Sequence, residues 1–183
     1  MGLFNEIKSC ELCKGIKGYK NYPVPTYVGK RYNEKRIFII GQNPGKNYNI
    51  LNDIKNTKSE EEFYSLFKKF LNNGNWKILN NWNWVKKGLK LDFDQIAFTD
   101  LYKCPCEEKN EKSRNKMKDN CARFLLREIE ILDPKILITI GSQAREFIIK
   151  NKNLSSNKKI YHFRHTSRFN PLNEWHTIHN IQL

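Results

Sequence analysis

Three short apolar runs stand out along the chain, at residues 36–41 (RIFIIG), 95–101 (QIAFTDL) and 135–141 (KILITIG). Their apolar positions are continuous, which suits strands covered on both faces, as in a parallel sheet. A weaker strand pattern covers Lys159–Phe163. Between the runs the spacing becomes helical. Within residues 59–71, Phe63, Leu66, Phe67 and Phe70 form one stripe, opened by Ser59 and Glu62 in capping-box spacing. Residues 114–132 carry Met117, Cys121, Leu125 and Ile129 at four-residue intervals and stop before Pro134. Ser142 is placed to cap a third helix ending near Lys150. Strands alternating with helices predict an α/β fold: three α/β/α layers around a central, mainly parallel four-stranded sheet.

Ligands of such sheets bind beyond the carboxyl ends of the strands. Two polar signals fall at those ends, the turn Gly41-Gln42-Asn43-Pro44-Gly45 and Asp100. The pattern therefore predicts one pocket built from two remote segments.

Size and charge narrow the class. At 183 residues the chain suits one domain, 1–183, with a cysteine-containing N-terminal arm. MGLFNEIKSC lacks the apolar run of a signal peptide and no stretch approaches a membrane span. A cytoplasmic protein with reduced thiols and no membrane partner is expected. Lys and Arg number 33 against 19 Asp and Glu, a net charge of +14. That excess favours a polyanionic partner, nucleic acid before an anionic membrane. A Lys- and Asn-rich composition is also what an AT-rich genome produces.

The cysteines carry the first specific chemistry. Cys10 and Cys13 form a C-x-x-C, Cys104 follows a predicted strand, and Cys121 lies on a predicted helix. Soft thiolates from remote segments suit a structural zinc or an iron–sulfur cluster. The sixteen residues between Cys104 and Cys121 fit a zinc ribbon poorly. Burial in a core would explain Cys121 but not a C-x-x-C in a polar arm.

In order along the chain come C-x-x-C, a strand with G-x-x-P-G, a strand with K-C-P, the stretch from Cys121 to Gly141, and His165-Thr166-Ser167. This succession resembles the uracil-DNA glycosylase superfamily, most closely its family 4 or iron–sulfur type, over residues 10 to about 168. The resemblance implies a [4Fe–4S] cluster held by Cys10, Cys13, Cys104 and Cys121, with Cys106 competing with Cys104 and zinc the lesser alternative. It implies that Asn43 holds the attacking water and that Gly41 and Gln42 line the base, Gln42 through its backbone amide near O2. His165 would face O2, and an aromatic after the first motif would stack on the base: Tyr48 is the leading candidate, with Phe63, Tyr64 and Phe67 also available. Ser167, Arg168 and Phe169 would enter the minor groove of DNA, an apolar wedge beside a cation.

Two departures follow from the same resemblance. Asn43 stands where family 4 usually has Ala, like the mismatch-specific and single-strand-selective members, and an amide can only orient water. Asp100 replaces the usual base-reading Asn. Ionised, it would accept from N3–H of uracil but repel O4; protonated by burial, it would restore the pair. The implied activity is monofunctional: hydrolysis of the N-glycosidic bond of uracil or another deaminated base, flipped from single- or double-stranded DNA by a monomer. The change at Asp100, Thr166 in place of the family's usual Pro, and the absence of the family's P-F pair after the first motif leave a second reading, a catalytically weak nucleic-acid-binding protein on the same iron–sulfur scaffold.

Overall fold

The computed structural model describes residues 2–76, 84–105, 111–154 and 157–164. Its centre is a sheet of five strands in the order β1-β3-β2-β4-β5. These are β1 (Tyr27–Val28), β2 (Ile37–Gly41), β3 (Ile96–Asp100), β4 (Ile136–Ile140) and β5 (Lys159–Phe163). The last four are the predicted strands, and they run parallel. The fifth member is β1, a two-residue edge strand antiparallel to β3.

Every residue of β2, β3 and β4 is buried, because both faces of the sheet are covered. Ile37, Ile39, Phe98 and Ile138 pack to one side, against α3 (Tyr48–Asn56) and α4 (Glu60–Asn72). Phe38, Ile40, Ala97 and Leu137 pack to the other, against α5 (Glu111–Leu132) and α6 (Ser142–Lys150). Two short helices precede these, α1 (Leu3–Lys8) and α2 (Tyr32–Lys35). The three predicted layers are present.

Caps refine the helix boundaries. Ser59 caps α4 by accepting from the Glu62 amide at 3.1 Å, while the Glu62 carboxylate accepts from the Lys58 amide at 2.7 Å. The reciprocal bond of the capping box is thus shifted one residue outward. At α6 the expectation needs correction. Ser142 is the first helical residue, and the cap position is Gly141 at φ 94°, with no side-chain cap. That positive φ turns the chain sharply from β4 into the helix and favours glycine. Among the described residues no helix is long and apolar enough to cross a membrane.

Candidate active site

The parallel register brings the two predicted pocket segments together. Gly41 at the end of β2 pairs with Asp100 at the end of β3. Beyond the sheet the contact continues: the Leu101 amide donates to the Gly41 carbonyl at 3.0 Å and the Tyr102 amide to the Gln42 carbonyl at 2.9 Å. The GQNPG turn and the Asp100 strand end are therefore held edge to edge. Gln42 and Asn43 are half-buried, and the Asn43 carboxamide donates to the Pro44 carbonyl at 3.2 Å. The turn leads into α3, whose cap is Asn47, its side chain accepting from the Ile50 amide at 3.4 Å. Tyr48 opens that helix, its ring 5.6 Å from that of Tyr22.

Asp100 is 4% exposed, and its Oδ1 has no hydrogen-bond partner among the described residues. Burial pushes its carboxyl up to about 7; Lys103 opposes that shift and Glu128 adds to it. Lys103 and Glu128 form a salt bridge of 2.7 Å whose two side chains are 2% exposed. The Lys103 ammonium also donates to Thr99, and the Thr26 hydroxyl donates to the other Glu128 oxygen. This buried network has no counterpart in the sequence reading. One signal could have found it: Glu128 lies among Phe124, Leu125 and Ile129 on the buried face of α5.

The cysteines converge just beyond Lys103. Cys13, Cys104 and Cys121 are buried, Cys10 is half-buried, and all four are free thiols. The Tyr19 hydroxyl sits among them, 3.9 Å from Cys104 Sγ. Burial first, and then Cys104, Cys13 and Cys10, push its ionisation upward. The Cys13 thiol is lowered to about 6, chiefly by a hydrogen bond from Cys121 and further by one from Asn120, whose Nδ2 lies 3.4 Å from Cys13 Sγ. Cys121 is shifted upward in turn by that shared proton. Burial raises Cys104 to about 12. A backbone amide also points at sulfur: Lys103 N lies 3.4 Å from Cys121 Sγ.

Among the described residues no three His, Cys, Asp or Glu side chains stand together as an ion-holding group. The donor set nevertheless fits an iron–sulfur cluster, with four reduced thiols from three segments and N–H groups directed at their sulfurs.

His165, Ser167, Arg168 and Phe169 lie outside the described residues, as does Cys106. The nearby His162 is a β5 residue, its Nδ1 paired with the Thr139 hydroxyl. Burial, with Arg145 nearby, pushes its imidazole down to about 4. His162 is thus a neutral packing residue. A cavity of about 510 Å³ opens elsewhere, where the parallel strands begin, lined by Phe4, Ile7, Thr26, Tyr64 and Leu132 with Glu128. Its apolar lining suits a ligand, but the turn and Asp100 stand at the carboxyl ends, where sheets of this kind bind ligands.

The chain is similar to known proteins over most of its length. The chain is 26% identical over 157 residues to a type-4 uracil-DNA glycosylase of Sulfurisphaera tokodaii, covering 85% of this chain and 61% of that protein. It is also 26% identical over 150 residues to a type-4 uracil-DNA glycosylase of Saccharolobus solfataricus, covering 82% and 59%. The chain thus spans about three fifths of the length of the curated relatives it matches. The family model described as the Uracil DNA glycosylase superfamily matches residues 30–180. With β2, β3, α5 and β4 all inside that match, the chain belongs to the uracil DNA glycosylase superfamily.

Proposed function

We propose that this chain is a monofunctional DNA glycosylase that hydrolyses the N-glycosidic bond of uracil or another deaminated base. The observation that carries the reading is the junction of the GQNPG turn with Asp100 through the Gly41–Asp100 pair and two backbone hydrogen bonds. Two relatives bearing the name type-4 uracil-DNA glycosylase support it. So does the net charge of +14, which suits a polyanionic partner.

The reaction asks three things of the chain. Water must be positioned beneath a sugar that develops positive charge, charge on the departing base must be stabilised, and the base must be read. Asn43 orients the water through its amide, which suffices when the bond to the base breaks before the water attacks. The Gln42 backbone amide and His165 face O2 of the leaving base. Asp100 reads the base from its buried strand end, with Gly41 beneath and Tyr48 stacking. Ser167, Arg168 and Phe169 engage the DNA backbone and groove of a flipped nucleotide.

Cys10, Cys13, Cys104 and Cys121 would hold the cluster. Its chemistry there is structural: four iron–thiolate bonds would tie the N-terminal arm to the end of β3 and to α5. Brown protein with iron and sulfide in equal amounts is the expected analysis; stoichiometric zinc without iron would replace the cluster by zinc.

The function is tested by incubating the purified protein with oligonucleotides bearing uracil, hypoxanthine, xanthine or mismatched thymine, then cleaving with alkali. Strand breakage at uracil or another deaminated base is expected. No breakage on any substrate overturns the enzyme reading and leaves the second one, a DNA-binding protein without catalysis, for which Asp100 in place of the usual Asn is the favouring observation.

A further inference from the structure

Asp100 is a buried carboxylate three residues before a buried cation, yet among the described residues no hydrogen bond or salt bridge joins the two. Among the described residues, the ammonium of Lys103 is spent on Glu128, 2.7 Å away, and on Thr99. Asp100 Oδ1 is left with no partner, and the residue is 4% exposed. An ionised carboxylate held in that way would lose its hydration without gaining a counterion. A protonated one would keep a donor and an acceptor directed at whatever fills the pocket.

Among the described residues, the charged groups that act on Asp100 are Lys103, from its own strand end, and Glu128, from α5. β2 presents only Gly41 and Gln42, which are uncharged. Burial raises the Asp100 carboxyl, Glu128 adds to the effect, and Lys103 opposes it. Glu128 therefore acts twice. It repels a charge on Asp100, and it holds the cation that, among the described residues, would stabilise that charge.

We infer that Glu128, by engaging Lys103, keeps Asp100 a neutral carboxyl that pairs with bases presenting an N–H beside a carbonyl. This rests on the glycosylase reading above. The class of base is the lactam: uracil, hypoxanthine and xanthine share that edge. The Asp100 carbonyl accepts from the ring N–H while its hydroxyl donates to the neighbouring ring carbonyl. Both bonds form without a proton leaving the pocket. Once Asp100 ionises the donor is gone and a lone pair faces the carbonyl, so recognition fails with rising pH. Glu128 is in this scheme a positioning residue, since it touches Lys103 rather than the base.

Two measurements test this and separate its failure from that of the parent reading. The first needs no catalysis: protein with ¹³C-labelled Asp carboxyls is titrated by NMR, and Asp100→Asn identifies the Asp100 signal. A carboxyl neutral at pH 6 and ionising near pH 7 is expected, with Glu128→Gln lowering its proton affinity tenfold or more. An Asp100 already ionised at pH 5, or a titration unmoved in a folded Glu128→Gln protein, overturns the inference.

The second measurement is single-turnover uracil release from an oligonucleotide between pH 5.5 and 9. The unsubstituted protein, which requires no altered fold, should lose activity tenfold per pH unit above about 7. Glu128→Gln should move that limb to lower pH, and Asp100→Asn should abolish it. A rate flat to pH 9 in the unsubstituted protein overturns the inference. If the carboxyl titrates as expected but no base is released at any pH, the glycosylase reading fails instead, and the base class falls with it.

Discussion

The two faces of the sheet are both buried, but they are built differently. On the side of α3 and α4 the contacts are aromatic and redundant. Phe67 lies 4.7 Å from Trp76 and 5.3 Å from Tyr27, ring centre to ring centre, and also meets Phe63 and Phe98. On the side of α5 the residues are smaller, with Ala97, Met117 and the cysteines, and a buried ion pair replaces part of the apolar packing. An aromatic cluster holds by area, and many residues of similar volume would serve in it. The other face holds through groups that each have one or two partners and fails when one is removed. The aromatic face thus supports the fold by area, and the other face supports it through a few paired groups.

That contrast can be broken most strongly at Phe67. Phe67→Ala should cost roughly 3–5 kcal/mol, read as a lower urea midpoint, while base release per folded molecule stays the same. A lost activity in the folded fraction would join the two faces after all. Next comes Lys103→Met, which strands Glu128 without its partner. It should cost about 3 kcal/mol, and adding Glu128→Leu should recover most of that loss. Failure of the double variant to recover would mean that Lys103 supports the fold through something other than Glu128.

Asp100→Asn acts on stability differently, because its effect depends on pH. The Asp100 carboxyl stands at about 7 against an ordinary 3.8. The unfolded chain therefore gives up this proton first, and the stability Asp100 contributes is lost as pH rises through about 7. The advantage of Asp100→Asn over the unsubstituted protein should grow between pH 4 and 7, by up to about 1.4 kcal/mol per pH unit, and then level off. An advantage that is constant with pH would mean that Asp100 is ionised in the fold.

The parallel strands and the long helices were legible in the sequence because their signal is periodic and local. Phe63, Phe67 and Phe70 mark the buried face of α4, and Ile136–Ile140 reads as a strand from its composition alone. β1 is two residues long, placed by its pairing with β3, and carries too little pattern to read. α3 was legible in principle, since Asn47 caps a helix that buries Ile50, Leu51 and Ile54. At the site, the meeting of the turn with Asp100 followed from strand ends. The cysteines followed from a motif. The Lys103–Glu128 pair did not, because two charged residues 25 positions apart look solvated until the fold buries them together.

The central claim is that the GQNPG turn beside Asp100 is where the glycosidic bond is broken. Single-turnover release of uracil from a labelled oligonucleotide, measured for the protein and for Asn43→Ala at equal DNA occupancy, tests it most directly. The account predicts release by the protein and a rate lower by roughly a hundredfold or more in Asn43→Ala. An Asn43→Ala protein that binds DNA and releases uracil at the unsubstituted rate would contradict it.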